Sequence, residues 1–543
     1  MSNRNYNTLP SDPEVQPINS PTRPRLHRIV GAVLLVLAGS VIAGTTIMLV
    51  AKNEPAPQNV IMMISDGFGP ASEAYARQYH SWDQGLGYKA MLPLDTILVG
   101  SSRTQSSSSM ITDSAAGATA FACAQKSYNG AIGVDSKGVP CGTVLESAKL
   151  HRNMLTGLVV TSRITHATPA SFSAHVLGRD SENDIASQQI GFNPLGRTVD
   201  LMFGGGACEF TSNLTEHSCR LDTRDLFEEA KESFGWTVKR TREDFDEIEP
   251  SDAELPLMGL FAPDHMSYEI DRDSSKQPSL KEMAKKALEI LNVASKKQGT
   301  GFFMMIEGSR IDMAAHTNDP AAHVHEIYEY NQAILAVKEF VDANPNTVVI
   351  STSDHETGGF TIGRQIGKDY PEYKWNPEVI KRVQHSSQYL AGIWRKEIDA
   401  SDEDYSAKVK EFLVTVILRD GLGIDNPTDE ELERLMSWKG SNKWTEELAY
   451  DLTDMVSRRA LLGWSTHGHT AVDVNLYAYG HQSEKLRGNH ENTDIGDFIV
   501  EQLDLNLEDI TERLKSHDSF KEFGVNNIEN SNTTTNKHKY HHL

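Results

Sequence analysis

Short apolar runs that each lead to a polar side chain constrain the fold of this chain more than any other feature. There are four such runs: Val60–Ser65 before Asp66, Gly157–Thr161 before His166 and Thr168, Phe302–Ile306 before Glu307, and Thr347–Ser353 before Asp354 and His355. Near-continuous apolar runs of this length are typical of strands that are buried on both faces, as in parallel sheets. The sequence therefore predicts a parallel sheet whose strands end in polar residues.

Helical stretches fill intervals between these runs. Residues 278–297 form one predicted helix and residues 320–341 another. One face of the second is apolar and comprises Val324, Ile327, Tyr328, Ile334 and Leu335. Strand and helix in alternation predict an α/β fold, a central, mostly parallel β-sheet covered by helices on both faces. Ligands of such folds collect at the carboxyl ends of the strands, where the polar residues fall.

An uncharged stretch of 23 residues runs from Ile29 to Ala51, long enough for a helix to span a bilayer core. A cleaved signal peptide is the alternative, but its apolar region is usually only ~7–15 residues long. Arg23, Arg25 and Arg28 precede the stretch, so the positive-inside rule places the N-terminus in the cytosol. We predict an uncleaved transmembrane signal-anchor helix at 29–51 in a single-pass type II membrane protein.

The rest of the chain then divides around this anchor. Residues 1–28 form a predicted disordered cytosolic tail, and residues 52–514 form a lumenal domain. Residues 365–460 interrupt the strand pattern and are interpreted as an insertion over the site, since they are rich in Lys, Glu, Asp and Trp. The polar tail 515–543 is predicted to be disordered and trimmed by lumenal proteases. Its last histidines, His541 and His542, are alternatively part of a metal-binding cluster.

Charge narrows the possible partners. The formal net charge is −23, and an acidic surface repels the phosphate backbone of nucleic acid. We therefore expect no nucleic-acid partner. The acidity suits a protein that holds divalent cations, although a metal-free acidic enzyme would have a similar composition.

The chain has four cysteines: Cys123, Cys141, Cys208 and Cys219. In an oxidising lumen they can form two disulfides, and pairing each with its nearest neighbour is the simplest of three connectivities. Free buried thiols are the alternative. Asn213 and Asn532 begin glycosylation sequons, which are usable only on the lumenal side.

Strong metal ligands concentrate near the predicted strand ends: Asp66, Glu307, Asp312, His316, Asp354, His355 and His467. Asp312 and His316 are four residues apart, so on a helical turn both lie on one side, a spacing that suits zinc. The same spacing recurs at Asp319 and His323. There an aspartate followed by a proline is typical of a helix N-terminus, so we interpret this copy as structural.

The chemistry of the ligands favours two kinds of cation. A single aspartate or histidine at a strand end is more often a cap or a core hydrogen-bonding group, but so many together favour a metal site. Mixed imidazole and carboxylate ligation favours zinc, whereas the all-oxygen set of Asp66, Thr168 and Glu307 favours magnesium.

One segment pairs an acid with a hydroxyl, Asp113 with Ser114, ahead of the small residues Ala115–Ala118. Small residues let a helix pack close to the sheet, and a helix that begins at Ser114 favours negative charge at its oxygen. A serine needs a base or a metal to become a nucleophile, and no G-x-S-x-G motif surrounds this one. The alternative is that Asp113 or Ser114 only caps the helix.

Several blocks together resemble the alkaline phosphatase family, and in particular its fungal vacuolar branch. They are Ser65–Gly67, Thr112–Ala120, Thr165–Ala170, His175–Arg179, Glu307–His316, Ser353–Gly359 and Thr466–Gly468. The blocks occur in the family's order between residue 60 and about residue 510. The resemblance implies a metal-dependent phosphate-monoester hydrolase in the vacuolar lumen. It also implies a homodimer and broad phosphomonoester substrates, with phosphopeptides as a further class.

The resemblance also assigns roles to residues, with Ser114 as the nucleophile that becomes phosphorylated. Two Zn²⁺ and one Mg²⁺ per subunit would be held by three sets: Asp312, His316 and His467; Asp66, Asp354, His355 and the Ser114 oxygen; and Asp66, Thr168 and Glu307. Arg179 resembles the arginine that binds two phosphate oxygens, a task that suits a planar guanidinium, and Asp113 would orient it.

Three positions leave the assignment open. His166 stands near the magnesium set where many bacterial members carry an acid, so that site is expected to be looser or more tolerant of zinc. Met313 stands where other members carry an ionisable side chain, which should weaken phosphate binding. His469 is an alternative ligand to His467, because residues two apart on a strand share a face, but the family pattern favours His467.

Two alternative functions remain. One is a phosphodiesterase or sulfatase of the same superfamily, against which Arg179 and the magnesium set argue because both crowd a terminal phosphoryl group. The other is a membrane-tethered binding protein on an inactive scaffold. The complete ligand set argues against it, since decayed scaffolds tend to lose ligands.

Overall fold

The computed structural model describes residues 59–399, 406–438 and 445–516. The predicted cytosolic tail, the anchor at 29–51, the sequon at Asn532 and the C-terminal tail beyond residue 516 lie outside these ranges. Within them, no helix combines the length and the apolar character needed to cross a bilayer.

A ten-stranded sheet forms the centre of the described chain. The described residues contain fourteen strands, of which β9 to β12 form two separate two-stranded sheets: β1 (Asn59–Ser65), β2 (Leu98–Arg103), β3 (Leu155–Arg163), β4 (Leu201–Gly205), β5 (Thr237–Lys239), β6 (Leu257–Leu260), β7 (Phe302–Gly308), β8 (Thr347–Thr352), β9 (Glu356–Thr357), β10 (Thr361–Ile362), β11 (Leu462–Gly463), β12 (His469–Thr470), β13 (Val474–Gly480) and β14 (Gly488–Glu491). The order across the sheet is β14-β2-β13-β8-β1-β7-β3-β4-β6-β5. Of these ten strands only β13 runs antiparallel to its neighbours. The predicted mostly parallel sheet is therefore confirmed.

Helices occupy most of the connections between strands. They are α1 (Pro70–Asp83), α2 (Ser114–Cys123), α3 (Val144–Arg152), α4 (Ala167–Ser173), α5 (Glu182–Ile190), α6 (Leu226–Phe234), α7 (Arg242–Asp246), α8 (Leu280–Gln298), α9 (Arg310–His316), α10 (Pro320–Ala343), α11 (Pro377–Arg382), α12 (Ser387–Asp399), α13 (Ser406–Phe412), α14 (Asp429–Met436), α15 (Thr445–Ala460), α16 (Asn492–Leu503) and α17 (Leu507–Ser516), with a π-helix at Leu413–Gly421. Both predicted helices are present, as α8 and α10. Leu335 was predicted on the buried face of α10, but it is exposed.

Two apolar cores lie on opposite faces of the sheet because successive strand residues point to opposite sides. Ile61 and Met63 of β1 pack in one core, with residues of α8 and α10. Val60, Met62 and Ile64 pack in the other, with residues of α2, α3 and α16. This double burial explains why the strand sequences are apolar at almost every position.

The four predicted strands are neighbours in the sheet, in the order β8-β1-β7-β3. They run parallel, and Ile64 near the end of β1 lies opposite Glu307 of β7. Their carboxyl ends therefore open onto the same edge of the sheet, which gathers the polar residues that follow each strand.

The described residues between 377 and 460 include helices α11 to α15, and this segment joins the rest of the chain where β10 pairs with β11. Their side chains and backbone contact the segment that follows β7. Ser387 N donates to Asp319 Oδ2 over 2.7 Å, and the Thr453 hydroxyl donates to the Thr317 carbonyl over 3.0 Å. That this segment is an insertion over the site stays a prediction.

Both disulfides join the predicted partners, Cys123 with Cys141 and Cys208 with Cys219. The first connects the end of α2 to the loop before α3. Asn213 begins the glycosylation sequon that lies within the described residues. It is exposed in the loop that the Cys208–Cys219 disulfide closes.

Candidate active site

Ser114 is the first residue of α2, at the carboxyl edge of the sheet. Asp113 caps the helix, and its Oδ1 accepts from the Ala116 N–H over 3.0 Å. The Ser114 side chain is buried, with Oγ 3.1 Å from His355 Nε2 and 3.5 Å from Asp66 Oδ1. The hydroxyl thus lies directly beside two of the predicted metal ligands.

Small residues allow α2 to approach the strand ends this closely. A Cβ atom on Gly117 would lie 2.9 Å from the Asp354 Cβ, closer than real Cβ atoms come. Every residue of α2 is buried. The run of alanine and glycine after Ser114 therefore determines the distance between the serine and the acids of the sheet.

The first ligand group lies on α9 and β12. His316 Nε2 is 3.2 Å from Asp312 Oδ2 and 3.1 Å from His469 Nε2. Asp312 Oδ1 is 3.8 Å from His469 Nε2. These three side chains offer one carboxylate and two imidazoles at the spacing of a single cation.

The structure places His469 in this group in the position that the sequence analysis predicted for His467. His467 is exposed, its ring stacks on Tyr450 with centroids 3.8 Å apart, and its Nδ1 donates to the His316 carbonyl over 2.8 Å. β12 begins only at His469, where it pairs with β9. The two histidines therefore do not share a strand face, and the register with β9 selects His469.

The second group follows β1 and β8. His355 Nε2 lies 3.5 Å from Asp66 Oδ1 and 3.4 Å from Asp354 Oδ2, and all three side chains are fully buried. The His355 ring also stacks on His469 with centroids 3.5 Å apart. The first and second groups are therefore adjacent, with Ser114 beside the second.

The third group joins β1, β7 and the start of α4. Ligand atoms of Asp66, His166 and Glu307 lie within 4.8 Å of one another. Ser309 orients Glu307, since its hydroxyl donates to Glu307 Oε2 over 2.6 Å. Thr168 lies two residues beyond His166, fully buried in α4. His166 is thus close enough to act as a ligand of this group.

Arg179 connects the third group to the serine. Its Nη1 donates to Asp113 Oδ2 over 3.2 Å, and its Nη2 donates to His166 Nε2 over 3.1 Å. Asp113 Oδ2 also accepts from the Gly130 N–H over 2.9 Å. Asp113 therefore caps α2 and holds the arginine, so the structural and the functional interpretations of this acid both apply.

Burial and mutual repulsion perturb the acids of the site. They raise the pKa of Asp66 well above its usual range, and they raise the pKa values of Glu307 and Asp354 to about 7. Burial opposes ionisation of Asp312 too, but the neighbouring histidines His316 and His469 lower its pKa well below normal. Burial lowers the pKa of His355 well below its usual value, so its imidazole is neutral.

These residues fit a set of cations. Four buried oxygens take part in no hydrogen bond with the described residues: Asp66 Oδ2, Thr168 Oγ1, Glu307 Oε1 and Asp354 Oδ2. Buried polar atoms without partners are costly, and carboxylates that repel one another are stabilised by a bound cation. Nitrogen and oxygen donors in the first two groups suit zinc, and the mainly oxygen donors of the third suit magnesium.

The second Asp-x-x-x-His copy is structural, as predicted. Asp319 caps α10 through the Ala321 and Ala322 N–H groups, and the buried His323 bonds to the Ile311 carbonyl and the Ser72 hydroxyl.

Met313 packs in an apolar cluster with Tyr268, Ala314 and Ala322. This environment is consistent with an apolar residue at that position.

Sequence reasoning missed residues that support the ligands. Ser309 holds Glu307, and Ser353 donates to the His355 carbonyl over 2.6 Å while accepting from the Phe68 N–H. Serines next to strand ends are common, and their spacing carries no signal that separates these from the rest. Only the folded geometry identifies them.

Acids and imidazoles from distant strand ends that converge on one buried hydroxyl define a class, the metal-dependent hydrolases. The family model described as alkaline phosphatase matches residues 57–505, and this chain belongs to that family. It is accordingly a metal-dependent phosphomonoester hydrolase.

Curated relatives and solved structures agree with this assignment. The chain is 49% identical to an alkaline phosphatase of Schizosaccharomyces pombe over 84% of each chain. It is 44% identical to the repressible alkaline phosphatase of Saccharomyces cerevisiae over 96% of each. The crystal structure of Thermus thermophilus alkaline phosphatase is similar with a TM-score of 0.69 and 28% identity, over 86% of this chain and 96% of that one.

Proposed function

We propose that the chain hydrolyses phosphate monoesters through a phosphoserine formed on Ser114. The observation that carries the proposal is the position of the Ser114 hydroxyl, 3.1 Å from His355 Nε2 and 3.5 Å from Asp66 Oδ1. His355 lies beside this hydroxyl, but its Nδ1 faces the Thr357 hydroxyl and not the carboxylate that orients the histidine of a serine hydrolase. A serine in this setting is activated through the cations that the neighbouring ligands hold.

Three cation positions follow from the ligand groups. Asp312, His316 and His469 would hold one zinc ion, and Asp66, Asp354 and His355 would hold a second beside Ser114. The third group, Asp66, Thr168 and Glu307 with His166 beside it, would hold magnesium. A related Antarctic enzyme, TAB5, has magnesium in its M3 site in a variant whose histidine is replaced by aspartate. Here His166 supports a third site that also accepts zinc.

When bound, the cations would supply Lewis acidity that stabilises the attacking and leaving oxygens of an in-line displacement. The chain's own residues then perform the following steps. Ser114 Oγ loses its proton to solvent and forms a bond to phosphorus while the bond from phosphorus to the leaving alcohol oxygen breaks, and the leaving oxygen takes up a proton from water. Because Ser114 is the first residue of α2, the helix N-terminus favours negative charge at Ser114 Oγ. Water then displaces Ser114 and releases inorganic phosphate.

Arg179 binds the phosphate in this proposal. Its planar guanidinium can donate to two phosphate oxygens through a rigid pair of N–H groups, a geometry that the ammonium of lysine does not offer. The bond to Asp113 keeps the guanidinium at the mouth of the site, and the bond to His166 fixes its other end. The substrate is thereby oriented with its ester oxygen opposite Ser114.

The decisive experiment replaces Ser114 by alanine in the metal-saturated enzyme. We expect Ser114→Ala to lower kcat for nitrophenyl phosphate by at least about 10³, since removal of a nucleophile removes the covalent route. Acid quenching of the wild type during turnover should trap phosphate on the peptide that contains Ser114. Phosphate on another residue, or near-normal turnover by the variant, would contradict the assignment.

Substrate class is tested with a matched pair, nitrophenyl phosphate and its methyl diester. Arg179 and the third cation group surround the oxygens of a terminal phosphoryl group, so we expect the monoester to be cleaved faster. Faster cleavage of the diester would favour the phosphodiesterase alternative.

Metal analysis of the same preparation should find zinc and magnesium in a ratio near two to one, as the three groups imply.

We further propose the location that the N-terminal sequence predicts: an anchor at 29–51, a lumenal catalytic domain and a homodimer. The exposed Asn213 provides a test, because its sequon acquires a glycan only on the lumenal side. A mobility shift on deglycosylation that Asn213→Gln reduces supports the lumenal position. Absence of any glycan, or solubility of the full chain without detergent, argues against it, and light scattering of the detergent-solubilised chain reports the oligomeric state.

A further inference from the structure

Thr357 lies between the first and second ligand groups without being a ligand of either. It is a fully buried residue of β9. Its hydroxyl donates to Asp312 Oδ1, and the same oxygen lies 3.2 Å from His355 Nδ1. One side-chain oxygen therefore contacts a proposed ligand of each zinc ion.

We infer that Thr357 is a positioning residue that fixes the tautomer of His355 and ties together the two proposed zinc positions. The inference rests on the proposed function, because it concerns the residues proposed there as zinc ligands. It adds a residue that no strand-end pattern singled out, on a two-residue strand.

The hydrogen count gives the tautomer. A threonine hydroxyl carries one proton, and a carboxylate can only accept, so the hydroxyl proton points to Asp312. The Thr357 oxygen must then accept from His355, which places the imidazole proton on Nδ1. His355 Nε2 is left with its lone pair, directed at Ser114 and Asp66. That is the tautomer needed for a ligand atom at Nε2.

The backbone holds Thr357 in this position. Its N–H donates to the Gly67 carbonyl over 3.1 Å, next to Asp66. In the β9–β12 pair Thr357 lies opposite His469, the third ligand of the first group. The main chain at Thr357 is thus connected to the strand end that carries Asp66 and to the strand that carries His469.

Removing the hydroxyl should loosen metal binding more than it loosens the fold. Thr357→Val keeps the β-branched shape but leaves Asp312 and His355 without this bond. Loss of such an outer partner typically costs about 10–100-fold in metal affinity. Thr357→Ser keeps the hydroxyl and should retain most of the affinity.

The experiment measures zinc retained by the full-length enzyme against a graded zinc buffer, together with thermal unfolding of the metal-free protein. A matched control is Thr156→Val, which removes another fully buried threonine hydroxyl at the opposite edge of the sheet, bonded to the Thr198 carbonyl. We expect a zinc affinity about 10–100-fold lower for Thr357→Val alone, with Thr357→Ser and Thr156→Val close to wild type.

Each outcome decides the question. Equal zinc affinity of Thr357→Val and wild type overturns the inference, and so does a loss in Thr357→Ser as large as that in Thr357→Val. If Thr357→Val does not fold, Thr357→Ala and Thr357→Ser give the same comparison, with rescue by serine as the supporting result. A wild type that binds no zinc overturns the proposed metal groups themselves, and the inference with them.

Discussion

At the scale of single residues, the site is a set of acids that are costly to bury. Asp66, Glu307 and Asp354 are fully buried, and their pKa values are all raised because burial and their neighbours disfavour the ionised form. Such groups are retained where a cation compensates them. These three acids would therefore destabilise the folded protein if no cation were bound beside them.

The histidine pair His467 and His469 provides the sharpest test at this scale. We expect His469→Ala to lose about one zinc ion per subunit and most activity, because it removes one of three donors from the first group. His467→Ala is the matched control and should keep its full zinc content and its activity. Metal analysis and nitrophenyl phosphate turnover of the two variants measure this. The reverse pattern would restore His467 as the ligand.

Gly67 provides a second residue-scale prediction. Its φ of +72° favours glycine, and an added Cβ would lie 2.7 Å from the Asp312 Cα. Gly67→Ala should therefore displace Asp312, lowering both zinc affinity and stability, the latter by roughly 2 kcal/mol or more. Gly85→Ala is the control, because Gly85 has a similar φ of +63° with open space around it. A similar loss of zinc in both variants would show that backbone strain alone is responsible.

At the scale of elements, the quality of a sequence prediction follows the length of the element. β1, β7 and β8 were predicted because they are buried on both faces and their central residues are therefore apolar. β9 and β12 have two residues each and no detectable periodicity. Their pairing nevertheless brings His469 and Thr357 to the site. The sequence could not reveal these two short strands, yet their register determines that His469 is the histidine beside Asp312 and His316.

A buried ion pair joins α3 to the loop after α4 and predicts a pH dependence. His175 contacts Glu146 Oε1 over 2.8 Å through Nε2 and the Gly133 carbonyl over 2.6 Å through Nδ1. Burial alone would lower the pKa of His175, but Glu146 and that carbonyl raise it above its usual 6.5. A raised pKa contributes stability that is complete below the unfolded value and is lost as pH rises through the folded value.

We therefore expect His175→Gln to destabilise the metal-saturated enzyme by about 2 kcal/mol at pH 6 and by progressively less as pH rises above 6.5. Urea unfolding of the wild type and the variant at several pH values measures the difference. His323→Gln is the control, since burial lowers the pKa of His323 to about 4 and it stays neutral over this range. A difference for His175→Gln that is constant with pH would show that this pair carries no charge.

At the scale of the whole molecule, the carboxyl edge of the sheet is held together by groups from β1, β3, β7 and β8 and by α2 and α9. Cations at this edge would bind the folded chain and have no comparable site in the unfolded one, so they stabilise the fold by mass action. Chelation should lower the unfolding temperature by several degrees at least and should abolish activity.

Differential scanning calorimetry before and after chelation checks this expectation. Zinc together with magnesium should restore both the unfolding temperature and turnover, and a calcium-selective chelator serves as the control. An unfolding temperature that is unchanged by complete metal removal would contradict a structural role for the cations.

The sequence by itself determined the parallel sheet, the two disulfide pairs, the helix that begins at Ser114 and most of the side chains that gather at the carboxyl edge of the sheet. It could do so because burial on two faces, short loops and local spacing leave a direct record in the order of residues. The choice of His469 over His467, the bridge at Thr357 and the supporting serines were decided by tertiary structure alone. Each depends on which backbone segments lie side by side, and residues hundreds of positions apart leave no local pattern to record it.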